Sequence, residues 1–415
     1  MKSILDMSSL TVFCKHLIGY NYIYAYLHSR ELNTQKIFQF ILIIFALNIS
    51  FLILNQTNAI AFESNAKQVI LVDDLTGTVL FSKNHNEKMH PASMSKLMTL
   101  YVVFDLIKEG KINLDDNILV SERAWRMRGS RMFLEVGKKV SIEDLLRGVI
   151  VHSGNDACVV LAEGIAGSES GFADLMNQKA QEFGMTSSKF INATGWPNAE
   201  HLTTAKDLAI LIHKIIHDFP EYYPIFSELK FKHNKISQPN RNPLLKTYPG
   251  ADGLKTGYTE AAGYGLAASA IRSDRRLILV ANGISSSRKR AKETARILDY
   301  GFSHFKNYEL FQPGEIIEEI DVWLGEKPSV SLMVEDNITL TLSREVRKGL
   351  KVSVHAPGPI QAPVTKGEVI AYLNVEVPNR QLMKIPLLAA YSVDSLSGFG
   401  RIGAAFRQLL WGEHN

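Results

Sequence analysis

The chain has little cysteine. Its 415 residues include two, Cys14 and Cys158, and the second sits in the apolar run Ala157-Cys158-Val159-Val160-Leu161. If the amino-terminal segment is removed, one cysteine remains, and it closes no intramolecular disulfide. In such a run it reads as a small buried hydrophobe rather than a nucleophile. Charge of one sign is also scarce: 46 Lys and Arg face 42 Asp and Glu. No basic stretch is interleaved with aromatics and no nucleic-acid motif occurs, so nucleic acid is excluded as the expected partner. The twelve histidines show no clear ligand spacing, and neither a metal nor another cofactor is expected. A Gly-x-Ser-x-Gly elbow, a His-Glu-x-x-His helix and a Gly-x-x-x-x-Gly-Lys-Ser/Thr loop are all missing, which removes three rival catalytic classes.

What is present is an ordinary globular composition, 46% hydrophobic and 21% charged, long enough for two or more domains. One long uncharged run, Ile37 to Leu54, follows Lys36 and leads to Asn58-Ala59-Ile60-Ala61. That is the pattern of an export signal cleaved after Ala61, with an uncleaved anchor as the alternative. Residues 1–61 are therefore read as an extension and signal.

Residues 62–308 read as one α/β domain with a largely antiparallel sheet flanked by helices. Val69-Ile70-Leu71-Val72 and Thr78-Val79-Leu80-Phe81 form a hairpin around Asp74-Leu75-Thr76-Gly77. A helix is predicted from Ser95 to about Ile107. Mostly helical sequence runs from Ser141 to His217, broken at Ser153-Gly154-Asn155 and at Asn192 to Pro197. Strands return at Leu254–Thr259, Tyr264–Ile271 and Arg276–Gly283, and a helix at Arg288–Phe302 closes the domain. Strands at both ends with helices between them imply a sheet built from distant segments. Short alternating segments over 309–390 read as a small all-β domain. In the tail, 391–415, Leu396, Phe399, Ile402, Phe406, Leu409, Leu410 and Trp411 share one helical side. That amphipathic helix suits a membrane surface, with docking on the β domain as the alternative.

Three phrases carry chemistry: Ser93-Met94-Ser95-Lys96, Ser153-Gly154-Asn155 and Lys255-Thr256-Gly257. Lys96 lies three residues after Ser93, on the same helical face, where its amine reaches the hydroxyl. A serine needs a base to become a nucleophile, and a lysine serves once burial and a neighbouring cation, here Lys255, lower its pKa. Asn155 is expected to hold Lys96 or a substrate carbonyl, and Ser153 to relay a proton to the leaving amine. Thr256 is expected to bind a substrate carboxylate, and Gly257 to admit a substrate strand along the chain. The backbone N–H groups of Ser93 and Tyr258 are the expected oxyanion donors. The set amounts to acyl transfer through an acyl-serine, without a histidine.

Pro91 to Thr99, His152 to Ala157 and Asp252 to Thr259, together with Gly129 to Leu134 and Asn192 to Gly195, closely resemble the D-alanyl-D-alanine carboxypeptidases of the penicillin-binding protein 5 type. The resemblance runs from about Gln68 to the end. It implies a serine β-lactamase/transpeptidase-like domain, the small all-β domain and the C-terminal amphipathic helix. It further implies Ser93 as the acylated nucleophile, Lys96 as its base, and Ser153, Asn155 and Lys255 as the rest of the catalytic set. The substrate implied is a peptidoglycan pentapeptide ending in D-Ala-D-Ala, with β-lactam antibiotics acylating the same serine at the periplasmic face of the inner membrane. Arg290 best matches an arginine that holds the terminal carboxylate, a solvated charge being the alternative; Tyr258 stands where some members carry His. Two other readings remain: a β-lactamase of related fold, opposed by the absence of a Glu-x-x-Leu-Asn phrase between Asn155 and Lys255, and a catalytically idle peptidoglycan-binding protein.

Overall fold

The computed structural model describes residues 42–43, 62–398 and 400. Residues Met1–Glu63 and Ser64–Asn415 form two units, and the architecture below is that of the second. Apart from Leu42 and Ile43, which are helical, the expected signal lies outside the described residues, as does the tail helix beyond residue 400. Among the described residues no helix is long and apolar enough to cross a membrane.

Strands β1 (Gln68–Asp73) and β2 (Val79–Lys83) form the expected hairpin. The chain returns to the same sheet some 170 residues later with β3 (Ala251–Thr259), β4 (Gly263–Arg272) and β5 (Arg275–Ile284). The order is β2-β1-β5-β4-β3, antiparallel throughout. Strand β5 is central, so its Leu277 to Asn282 are buried in an unbroken row rather than alternating.

Between these strands run α1 (Lys96–Lys108), α2 (Ile142–Ile150), α3 (Asn155–Ala166), α4 (Glu169–Glu182) and α5 (Ala205–Asp218). Side-chain caps set three of the starts: Ser141 Oγ accepts from Asp144 N, Ser168 Oγ from Gly171 N and Thr204 Oγ1 from Asp207 N. Helix α3 has almost no polar face beyond its first two residues, and Asn155 to Ala162 are all buried. It is the hub on which α2 and α4 pack. Helix α6 (Ser287–His304) begins one residue earlier and ends two later than expected, capped by Ser286.

The β-rich part begins as α6 ends, with β6 (Phe305–Phe311) pairing with a later strand, Ile338–Ser343. Six further strands form a second sheet around a separate core that includes Val330, Leu332, Leu373, Val375 and Leu387. Val393 and Ser395 bridge back to Val364 and Gly325, so the first residues of the expected tail helix are extended. Arg275 joins the two parts. It donates Nε to Asp73 Oδ2 at 2.7 Å and Nη1 to the carbonyl of Phe305 at 2.7 Å. Beside it, the Thr76 and Thr341 hydroxyls meet at 2.6 Å.

Candidate active site

All three phrases converge on one site. Ser93 lies in a tight 3-10 turn, Ala92–Ser95, that leads into α1. The helix proper thus starts one residue later than expected, at Lys96. The turn places Ser93, half-buried, at the surface and points Lys96 inward, where it is fully buried. Two glycines make room for this turn. Gly195 has φ +74°, and a Cβ there would stand 1.9 Å from the carbonyl oxygen of Ala92. A Cβ on Gly257 would stand 2.8 Å from the carbonyl oxygen of Pro91. The room that Gly257 leaves is therefore filled by the nucleophile turn itself; the expectation from sequence had reserved it for a substrate.

Lys96 Nζ has three partners: Ser93 Oγ at 2.9 Å, Asn155 Oδ1 at 2.8 Å and the Thr194 carbonyl at 2.5 Å. Two of these oxygens only accept. A neutral amine has two N–H bonds and one lone pair, so two donations leave the lone pair for the Ser93 hydroxyl. Burial pushes the Lys96 pKa down, partly offset by the Asp156 and Glu169 carboxylates. Burial pushes Lys255 well below the ordinary lysine range, helped by repulsion from Lys96, Arg241 and Arg290. Lys255 Nζ donates to Ser153 Oγ at 2.7 Å.

Ser153-Gly154-Asn155 forms the crest between α2 and α3. Ser153 takes φ +61°, which turns the chain sharply enough for Asn155 to open α3 beneath it. Asn155 Nδ2 donates to the Arg128 carbonyl at 2.7 Å, fixing the amide so that its oxygen faces Lys96. Asp156 accepts from the backbone N–H of Met132 and Leu134. That contact seats the Gly129 to Leu134 segment against the crest.

Three contributors escaped the sequence reading. The Thr194 carbonyl is one; composition marked its segment only as a turn. In the structure Asn192 Oδ1 gathers the N–H groups of Thr194, Gly195 and Trp196. This aims the Thr194 carbonyl at Lys96. His201 is the second. Its Nδ1 accepts from Ile191 N at 3.3 Å, which leaves Nε2–H to donate to Ser95 Oγ at 2.7 Å. Burial lowers its pKa to about 4, so it stays neutral and props the turn from below. The third is a cavity of about 260 Å³ beside the turn, lined by His90, Ala92, Trp196, His201 and Thr259.

Thr256 is buried along β3, and Tyr258 is 52% exposed and packs its ring on Tyr264, with centroids 4.3 Å apart. Arg290 corrects the solvated alternative: it is buried, under the Tyr264 ring, with Nη2 on Ser287 Oγ and Nε without a partner. Burial lowers its pKa from the ordinary value. Cys158 is buried and unpaired, its thiol pushed up to about 12 by burial, which keeps it out of the chemistry.

Residues 55–285 match the D-alanyl-D-alanine carboxypeptidase family, and residues 305–395 match the penicillin-binding protein 5 C-terminal domain. The chain is 39% identical over 346 residues to D-alanyl-D-alanine carboxypeptidase DacC of Escherichia coli (strain K12), covering 81% of this chain and 86% of that one. Penicillin binding protein 5 from Haemophilus influenzae superposes with a TM-score of 0.73 at 36% identity, covering 81% of this chain and all of that one. Penicillin-binding protein D2 from Listeria monocytogenes, in its ampicillin-bound form, superposes with a TM-score of 0.54 at 28% identity, covering 58% of this chain and 99% of that one.

Proposed function

The chain belongs to the D-alanyl-D-alanine carboxypeptidase family, and from that premise we propose that it is a serine-type carboxypeptidase that removes the terminal D-alanine from peptidoglycan pentapeptides. The observation that carries this reading is the environment of Lys96 Nζ, whose fixed acceptors leave a lone pair aimed at Ser93 Oγ.

Ser93 Oγ attacks the carbonyl carbon of the penultimate D-alanine as its proton passes to Lys96. The Asp156 and Glu169 carboxylates stabilise the ammonium so formed. The backbone N–H groups of Ser93 and Tyr258 hold the oxyanion. The C–N bond then breaks. In net terms the proton that left Ser93 reaches the departing D-alanine nitrogen, with the Ser153 hydroxyl, held by Lys255, as the final donor. Water next attacks the Ser93 ester as Lys96 takes its proton, and Lys96 passes that proton to the departing Ser93 Oγ. The free carboxylate of the substrate is bound at Thr256 and Arg290, whose buried Nε lacks a partner. A β-lactam acylates Ser93 by the same first step, in keeping with the ampicillin-bound relative.

The chain is exported and acts at the periplasmic face of the inner membrane in this reading, supported by the Ile37 to Leu54 run and its Asn58-Ala59-Ile60-Ala61 ending. The apolar side of the tail, ending in Leu409-Leu410-Trp411, supports attachment to the membrane surface. The catalytic part is assigned to residues 62–308 and the β part to 309–390 together with the bridged residues up to Ser395, and the attaching helix to the tail that follows.

The test is release of D-alanine from diacetyl-Lys-D-Ala-D-Ala, alongside labelling by fluorescent penicillin. Release together with labelling, both lost in Ser93→Ala, is the expected result. Labelling without release points to an idle penicillin-binding protein, and rapid penicillin turnover without release to a β-lactamase.

A further inference from the structure

Away from Ser93, three side chains from distant parts of the chain meet at one point. His213 and His217 lie one turn apart on the same face of α5. Asp74, which begins the turn between β1 and β2, lies between their rings. His213 Nδ1 is 2.8 Å from Asp74 Oδ1, and His217 Nε2 is 3.0 Å from Asp74 Oδ2. The ring centroids are 4.3 Å apart, and the three donor atoms all lie within 4.8 Å of one another. The carboxylate is buried, whereas the two histidine side chains are about half exposed, at 48% and 51%.

We propose that Asp74, His213 and His217 form a binding site for a zinc-type divalent ion. Two imidazoles and one carboxylate are three of the ligands that zinc takes, and a fourth position faces solvent. At zinc bond lengths the donor atoms of a tetrahedral site sit roughly 3.3 to 3.5 Å apart. Parting each imidazole from the carboxylate by about half an ångström, and drawing the two imidazoles together, reaches that spacing. Half-exposed rings make these adjustments by side-chain rotation alone. Calcium and magnesium are disfavoured, because they select oxygen ligands and two of the three donors are nitrogens.

Electrostatics favours a cation here. The buried Asp74 carboxylate takes one imidazole on each of its oxygens. His217 is in the last turn of α5, where the helix dipole favours positive charge. An opposing cation, Arg276, lies 3.9 Å from Asp74 but is committed to Asp252, with Nη1 on Oδ2 at 2.7 Å.

The expected role is a clamp. The ion joins the end of α5 to the β1–β2 turn, whose Thr76 touches Thr341 in the β-rich part. The start of α5 follows Thr203, which bridges to Met89 near the nucleophile turn. His213 and His217 stand roughly 12 and 18 Å along the helix from that start. The ion therefore has no direct part in acyl transfer.

The experiment uses the exported chain, stripped with a chelator and titrated with zinc against a chromophoric zinc indicator. One equivalent should bind and raise the melting temperature. His213→Ala and His217→Ala should each weaken binding at least tenfold, and the double variant should lose both the equivalent and the thermal shift. Both positions are half exposed, so these variants should fold, as unchanged fluorescent-penicillin labelling would show; Asp74→Asn alters a buried carboxylate and is the less decisive choice. Binding weaker than about 10 µM, or an equivalent that survives in the double variant, overturns the proposal.

Discussion

The carbonyl oxygen of Pro91 lies where the side chain of residue 257 would begin: a Cβ on Gly257 would approach it to 2.8 Å, with Met94 Cγ at 3.2 Å behind. Strand β3 and the nucleophile turn are thus in backbone contact, and the spacing between Ser93 and the strand expected to receive substrate is set by the absence of a side chain.

Gly257→Ala should push the two apart by a few tenths of an ångström. Overpacking of this kind costs about 1–3 kcal/mol, and since a misplacement of about 1 Å lowers rates on the order of 10²-fold, a shift of a few tenths should lower them roughly severalfold. Penicillin acylation by the purified variant, followed by stopped-flow fluorescence, should slow by about that factor while circular dichroism stays unchanged. An unaltered rate would mean that the turn relaxes freely.

Lys96→Arg keeps a cation but removes the base, because a guanidinium does not deprotonate in the working range. Acylation should fall by roughly 10²–10⁴, the usual contribution of general-base catalysis. In the unmodified protein the rate should rise with pH along a limb lying below the ordinary lysine pKa of about 10.4. The direction follows from burial, which lowers the Lys96 pKa, and from the need for the neutral amine. A limb centred at or above that value would sink the assignment.

Arg290→Gln tests carboxylate recognition. Charge-assisted hydrogen bonds contribute about 1.5–3 kcal/mol, so kcat/KM for a peptide ending in a free carboxylate should fall roughly 10- to 100-fold. The same peptide ending in a carboxamide should react equally with both proteins. Equal losses on the two substrates would assign Arg290 a structural role instead.

His201 links stability to pH. Its folded pKa of about 4 lies below the unfolded value of 6.5. Between those values the unfolded chain binds more protons, so the His201 contribution is complete above pH 6.5 and is lost as pH falls toward 4. A shift of this size corresponds to about 3 kcal/mol. Thermal denaturation of His201→Asn should show a shallower loss over that window than the unmodified chain. Parallel curves would place the acid sensitivity elsewhere.

The sequence made the chemistry legible because it is local. Ser93 and Lys96 are one helical turn apart, Ser153 and Asn155 flank a glycine, and Lys255 to Gly257 opens on a strand pattern. Hydrophobic periodicity likewise determined the hairpin, the first and last helices and the three later strands to within a few residues, since each depends on near neighbours; between Ser141 and His217 it showed helix without dividing α3 from α4.

What depended on distant contacts was not visible. The Thr194 carbonyl becomes a ligand of Lys96 only because Asn192 folds its loop and Gly195 slides under Ala92. Gly257 was read as space for substrate because no pattern reveals that Pro91 occupies it. Arg290 begins a helix rich in charge, and only the packing of Tyr264 over it shows that it is buried. Asp74 and His213, 139 positions apart, meet only once α5 lies against β1. Composition and local spacing fixed which groups can react. Tertiary packing decided which amine is dry, which carbonyl is aimed and which side chains share a point in space, because desolvation and directed hydrogen bonds arise only when remote segments exclude water together.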